Sequence, residues 1–303
     1  MTRTLAALAL LALSPLALAQ TDAAAPEATA PEAAPAEADD RDPVLYLLED
    51  NDSRVYLLGS VHVLTPEAYP LPADVEAAYA DADAVAFEMD MRDTAAIQGA
   101  MLSRAQYADG RTLQEALGEA GTAKLDSVLA PFGATSAAVA SFEPWAVQLT
   151  LVGMAVQSMG YDPASGVDMH FLGRAVSDEK PVLALETADD QFDIFDTMPE
   201  ADQVAMLTEM LGEWDKQPAE FDRLITAWET GDDEALAAIM NDLPDSIRPA
   251  LLRDRNAAWV PQIEGYLARE GEDVLVVVGA GHLAGPESVT EMLRAKGYTL
   301  TRL

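Results

Sequence analysis

Two histidines stand at the same place in two similar stretches. Arg54-Val55-Tyr56-Leu57-Leu58 runs into Gly59-Ser60-Val61-His62, and Asp273-Val274-Leu275-Val276-Val277-Val278 runs into Gly279-Ala280-Gly281-His282. The chain has only three histidines in 303 residues, so a matched pair points to use rather than accident. Two further apolar runs stop at a carboxylate: Asp83-Ala84-Val85-Ala86-Phe87 at Glu88, and Pro181-Val182-Leu183-Ala184-Leu185 at Glu186. Two imidazoles with one or two carboxylates make a donor set for a divalent cation. Such an ion lowers the pKa of a bound water. A second carboxylate can then accept the water's proton. Asp168, Arg255 and Asn256 are candidates to orient a substrate or hold developing negative charge.

Each of these residues also has a plainer explanation. A histidine after a strand can cap backbone groups, and Glu88 and Glu186 can be exposed strand-end carboxylates. Asp168 is placed to cap the helix that follows Gly166. His170 reads equally as a third ligand or as a structural histidine. Arg255 and Asn256 lie in an amphipathic helix, where a solvated face is the simpler expectation.

The elements that must position these groups follow from apolar periodicity. Strands are expected at 44–48, 54–58, 83–87, 181–185 and 273–278, with an edge strand at 298–303 and a hairpin through the polar turn 49–53. Gly59 and Gly279 are expected to let the chain turn sharply after their strands, with Gly281 part of the second motif. Helices are expected at 71–82, over most of 93–160, from Gly166 to Ala175, over 188–240, over 246–268 with a kink at Pro261, and at 287–296. Trp214 and Trp228 are expected as core anchors. The apolar stretch 142–159 is long enough to raise a membrane span, but Gln148, Gln157 and the Glu143-Pro144 start make it a buried core helix. Parallel neighbouring strands would bring His62, Glu88, Glu186 and His282 to one rim, where open α/β sheets place their ligands. The fold class is therefore α/β, with a central sheet assembled from N- and C-terminal strands and a large helical insertion at about 93–250.

Residues 1–19 carry a basic start, an apolar segment from Leu5 to Leu13 and a small-x-small site at Ala17-Leu18-Ala19, the pattern of a cleaved signal peptide. Residues 20–42 are almost entirely Ala, Pro, Glu, Asp and Thr, a linker too poor in large apolar groups to fold. The folded domain is expected at 43–303, in the periplasm or outside the cell and without a stable membrane span after cleavage. The net charge of −34 argues against nucleic acid and anionic membranes as partners. The absence of cysteine excludes disulfides, thiolate metal sites and cysteine catalysis. No Gly-x-Ser-x-Gly elbow, phosphate-cradling glycine loop or His-Glu-x-x-His helix is present.

Gly59-Ser60-Val61-His62 with Tyr69-Pro70-Leu71-Pro72, Ala86-Phe87-Glu88, Gly166-Val167-Asp168, Leu185-Glu186-Thr187, Arg255-Asn256 and Gly279-Ala280-Gly281-His282-Leu283 together resemble the TraB/GumN family, in the superfamily of the animal Tiki proteases. The resemblance covers about 43–303. It implies a fold similar to the ChaN haem-binding proteins and the erythromycin esterases. It also implies His62 and His282 as metal ligands and Glu88 as catalytic or ligating carboxylate. Asp168, Glu186, Arg255 and Asn256 match motif positions, Asp168 as a further candidate ligand. The expected function is an exported metal-dependent hydrolase, a peptidase in the Tiki manner, using manganese, cobalt or zinc on a peptide or small-molecule substrate. The alternatives are a metal-free esterase-like hydrolase and a non-enzymatic envelope protein that binds metal, haem or peptide. Substrate, metal identity and oligomeric state are not legible in the residues.

Overall fold

The computed structural model describes residues 40–303; the expected signal peptide and all but the last residues of the expected linker lie outside the described residues. Six strands form one sheet in the order β4-β3-β5-β2-β1-β6: β1 Leu45–Glu49, β2 Arg54–Ser60, β3 Ala84–Phe87, β4 Val182–Ala184, β5 Val274–Gly279 and β6 Leu300–Arg302. β1 and β2 form the expected hairpin, and β6 is an antiparallel edge strand on β1. The other neighbours, β2 with β5, β5 with β3 and β3 with β4, are all parallel. β3 and β5 are buried along their whole length. That is why they read as continuous Ala/Val/Leu/Phe runs rather than as alternating patterns.

Eleven α-helices accompany the sheet among the described residues. α1 is Ala73–Asp81, α2 Thr94–Arg104, α3 Leu113–Leu129, α4 Pro144–Ser158, α5 Val167–Ser177 and α6 Ala188–Asp196. α7 is Glu200–Gly212, α8 Gln217–Glu229, α9 Asp233–Asn241, α10 Asp254–Leu267 and α11 Val289–Ala295. α5 packs on β3, β4 and β5, and α10 packs on β2. α2 packs on α6, and α7 packs on both α3 and α4, so the segments before and after β4 join in one helical body. Thr112 with Glu115 and Thr187 with Asp190 close capping boxes that start α3 and α6. α4 is buried over most of its length. Among the described residues no helix is long and apolar enough to cross a membrane.

Three local expectations change. β2 and β5 run through Gly59 and Gly279, so these glycines belong to the ladder, where Ser60 pairs with Gly279. Gly59 sits in close packing instead: a Cβ there would lie 3.1 Å from Ala280 and 3.2 Å from Val44, so its neighbours would have to shift. Pro261 sits inside α10 without ending it, and the irregular turn falls earlier, at the π-helical Pro249–Arg253. Trp228 is fully buried, but Trp214 lies in a short 3₁₀ turn and is only partly covered.

Candidate functional site

The four parallel strands deliver their chain continuations to one rim, and two neighbouring hydrogen-bonded polar groups form there. Ser60 is the last residue of β2, and His62 follows two residues later at a bend. Both reach Asp168 in the first turn of α5: Ser60 Oγ donates to Oδ1 at 2.8 Å and His62 Nδ1 meets Oδ2 at 2.7 Å. A carboxylate only accepts, so His62 Nδ1 carries the hydrogen. Gly166, just before α5, packs so closely on His62 that a Cβ would come within 2.3 Å of the His62 carbonyl oxygen. Burial disfavours a charged His62, but the Asp168 carboxylate more than offsets this and raises its pKa. Asp168 is likewise penalised by burial, yet His62 and Ser60 hold its pKa below the ordinary value. The pair is a buried imidazole–carboxylate dyad.

His282 follows β5 through a 3₁₀ turn and is completely buried. Its Nδ1 lies 2.6 Å from Asn256 Oδ1. Asn256 Nδ2 is already committed to the Glu287 carbonyl at 2.7 Å, so Oδ1 is the acceptor and His282 Nδ1 the donor. The Nε2 atom therefore holds a lone pair, and Arg255 Nη1 donates to it at 3.0 Å. Burial, then Arg255 and His62, push the His282 pKa well below the ordinary value, which keeps the ring neutral. The Trp259 indole packs on the same ring, 4.4 Å between centroids.

Glu88 and Glu186 meet at Arg255. Its Nη2 donates at 2.6 Å to Glu88 Oε2 and at 2.6 Å to Glu186 Oε1, and its Nε donates to Glu186 Oε2 at 3.0 Å. Glu88 Oε1 accepts the Gly279 backbone N–H at 2.8 Å, and Oε2 also accepts from Gln191 of α6 at 3.1 Å. Burial raises the Glu186 pKa, with Arg255 opposing. Burial also works against the Arg255 charge, but Glu186 and Glu88 more than restore it, so the guanidinium stays charged. Arg255 and Asn256 are 6% and 1% exposed, so the expected solvated face is a buried one.

The strand-end residues His62, Glu88, Glu186 and His282 thus come together with Asp168, Arg255 and Asn256. His170 does something else: its ring stacks on Tyr69 with centroids 4.0 Å apart and lies against Phe171 and Arg174. Ser60, Gln191 and Trp259 belong to the cluster and were not singled out from sequence. The nearness of Ser60 to His62 in sequence, and the spacing of Trp259 one helical turn beyond Arg255 and Asn256, were available signals. The cluster is buried, but a cleft of about 440 Å³ reaches its edge, lined by Glu186, Arg255 and Trp259 with Ile194, Asp190 and Asp254.

The donors suit a divalent ion by chemistry. Both imidazoles have their Nδ1 atoms tied to oxygen acceptors, the support that sets ring orientation and tautomer in metal-ligating histidines. As the side chains stand, Arg255 takes the His282 lone pair and a Glu88 oxygen, and among the described residues no three His, Asp or Glu side chains are grouped to hold an ion. Asp168 stands behind His62 with both oxygens engaged.

An α/β sheet whose parallel strands carry paired Gly-x-x-His motifs and two glutamates to one rim defines the class of this chain. The profile of the TraB/PrgY/gumN family matches residues 44–302, and the chain belongs to that family. It is similar to the uncharacterized protein YbaP of Escherichia coli (strain K12), 24% identical over 253 residues, which is 83% of this chain and 92% of that protein. The YbaP of Shigella flexneri is similar to the same extent. No solved structure gives a significant match.

Proposed function

We propose that the chain is an exported, metal-dependent hydrolase that cleaves peptide bonds. The observation that carries this is the pair of strand-end imidazoles, each with its Nδ1 held by an oxygen acceptor, joined at one rim to Glu88. His62 and His282 would hold the ion with Glu88, while Asp168 and Asn256 fix the two rings. When bound, a divalent ion supplies Lewis-acid polarisation and a water of lowered pKa. Glu186 lines the cleft, and its raised pKa suits it to take a proton from water and return it to the leaving amine. The Arg255 guanidinium lies between the two carboxylates, and its positive charge favours negative charge developing on a substrate carbonyl oxygen. Export rests on the signal-peptide pattern of residues 1–19, and the peptide substrate on the resemblance to the Tiki proteases.

Elemental analysis of the purified mature chain, paired with cleavage of a peptide library with and without chelator, tests the proposal. We expect a bound divalent metal, chelator-sensitive cleavage, and loss of metal in both His62→Ala and His282→Ala. Full metal retention with unchanged activity in both variants would discard it. One observation favours a second, metal-free reading: the guanidinium already pairs with both Glu88 and Glu186 and caps His282. In that case the His62–Asp168 dyad serves as general base, and ester or peptide hydrolysis survives exhaustive chelation.

A further inference from the structure

Arg255 makes two sets of contacts that face different ways. Inward, Nη1 donates to His282 Nε2 at 3.0 Å and to the Leu251 carbonyl at 3.2 Å, and Nη2 donates to Glu88 Oε2 at 2.6 Å. Outward, Nε and Nη2 form a fork on Glu186 at 3.0 and 2.6 Å, and Glu186, Arg255 and Trp259 all line the 440 Å³ cleft. A neutral imidazole has a single acceptor nitrogen, so His282 Nε2 cannot accept an N–H from Arg255 and bind a cation at the same time. The same conflict applies to Glu88 in weaker form, since a carboxylate oxygen beside a guanidinium is already neutralised.

We propose that Arg255 is a resident cation competing with the divalent ion for His282 and Glu88, so that loading requires the guanidinium to withdraw toward the cleft while keeping Glu186. This rests on the metal reading given above. Two features make the withdrawal feasible. The fork on Glu186 is the cleft-side half of the contacts, and the cleft supplies free volume beside it. The Trp259 face, with the guanidinium carbon 4.6 Å from the ring centroid, gives the cation an apolar platform to slide on. The arrangement also explains how two buried carboxylates survive before metal is acquired. Glu88 and Glu186 are 6% and 8% exposed at their side chains, and unpaired charges there would oppose folding. The guanidinium offsets one of the two negative charges and hydrogen-bonds both carboxylates in the metal-free chain, and it then lowers the apparent affinity by the fraction of molecules in which it remains in place.

Calorimetric titration of the purified mature chain with Zn²⁺ tests this, with circular dichroism to confirm folding. Arg255→Met keeps an apolar stem and removes the competitor, and Arg255→Lys keeps the charge but loses the fork. We expect Arg255→Met to bind Zn²⁺ at least about tenfold more tightly than the unmodified chain, and Arg255→Lys to fall between them. In the unmodified chain, the Arg255 side-chain N–H signals in ¹⁵N spectra should be protected from exchange without metal and lose that protection on adding Zn²⁺. This readout holds even if both variants fail to fold. Zn²⁺ binding that His282→Ala abolishes, but that neither Arg255 variant tightens, overturns the competition and leaves the metal reading standing; unchanged N–H protection does the same. Zn²⁺ binding that His282→Ala leaves intact, or no binding by any chain, removes the metal reading and the competition with it.

Discussion

At the scale of single residues, the cluster is a set of charges that stabilise one another only when complete. Asp168 accepts from both Ser60 and His62, and no water-exposed position is open to any of the three. Asp168→Ala leaves a buried histidine without its counter-charge and should cost about 3–5 kcal/mol. Ser60→Ala removes one hydrogen bond and should cost about 1 kcal/mol. Urea denaturation of both variants measures the difference, and equal losses would show that the dyad is not an ion pair. The two histidines respond to pH in opposite senses. His62 has a pKa raised above 6.5, so its contribution is full below 6.5 and is lost as pH rises through the folded value. His282 has a pKa far below 6.5, so its contribution is full above 6.5 and is lost as pH falls toward the folded value. His282→Asn should therefore flatten the fall of stability below pH 6.5, by up to about 1.4 kcal/mol per pH unit. A series of thermal melts between neutral and mildly acidic pH, unaltered by the substitution, would refute this.

At the scale of elements, the site depends on close approaches between segments distant in sequence. Gly166 leads α5 against the His62 backbone, where a Cβ would lie 2.3 Å from a carbonyl oxygen that cannot swing aside like a side chain. Gly166→Ala should therefore displace the His62 loop or the start of α5, with a loss of about 3 kcal/mol and weaker Asp168–His62 pairing; an unchanged melting temperature would contradict it. The strands and their terminal residues were legible in sequence because buried parallel strands leave uninterrupted apolar runs that stop abruptly. The burial of Arg255 and Asn256 was not, because a polar pair in an amphipathic helix is covered here by partners that lie far away in sequence: Glu88 and Glu186 for Arg255, and His282 for Asn256. Gln191 was hidden for the same reason, in a helix whose first turn is acidic and exposed. The glycines were legible as a motif, but their packing role was not, since the Gly59 neighbours Val44 and Ala280 come from opposite ends of the chain.

At the scale of the whole molecule, the sheet closes only when the C-terminal segment arrives. β5 is inserted between β2 and β3, with parallel pairing to both. Removing residues 273–303 deletes this central strand, His282 and β6 together. We expect that truncation to abolish cooperative unfolding in far-ultraviolet circular dichroism, rather than to leave a folded chain that has merely lost activity. A truncated chain with a sharp transition near that of the full length would show that the sheet can close without β5.

The register that sets Ser60 beside Gly279 also has a temporal meaning. A ribosome releases His62 long before His282, so the polar cluster at the rim can assemble only after His282 has emerged. Chain order alone therefore defers assembly of the rim until the last of the parallel strands is in place.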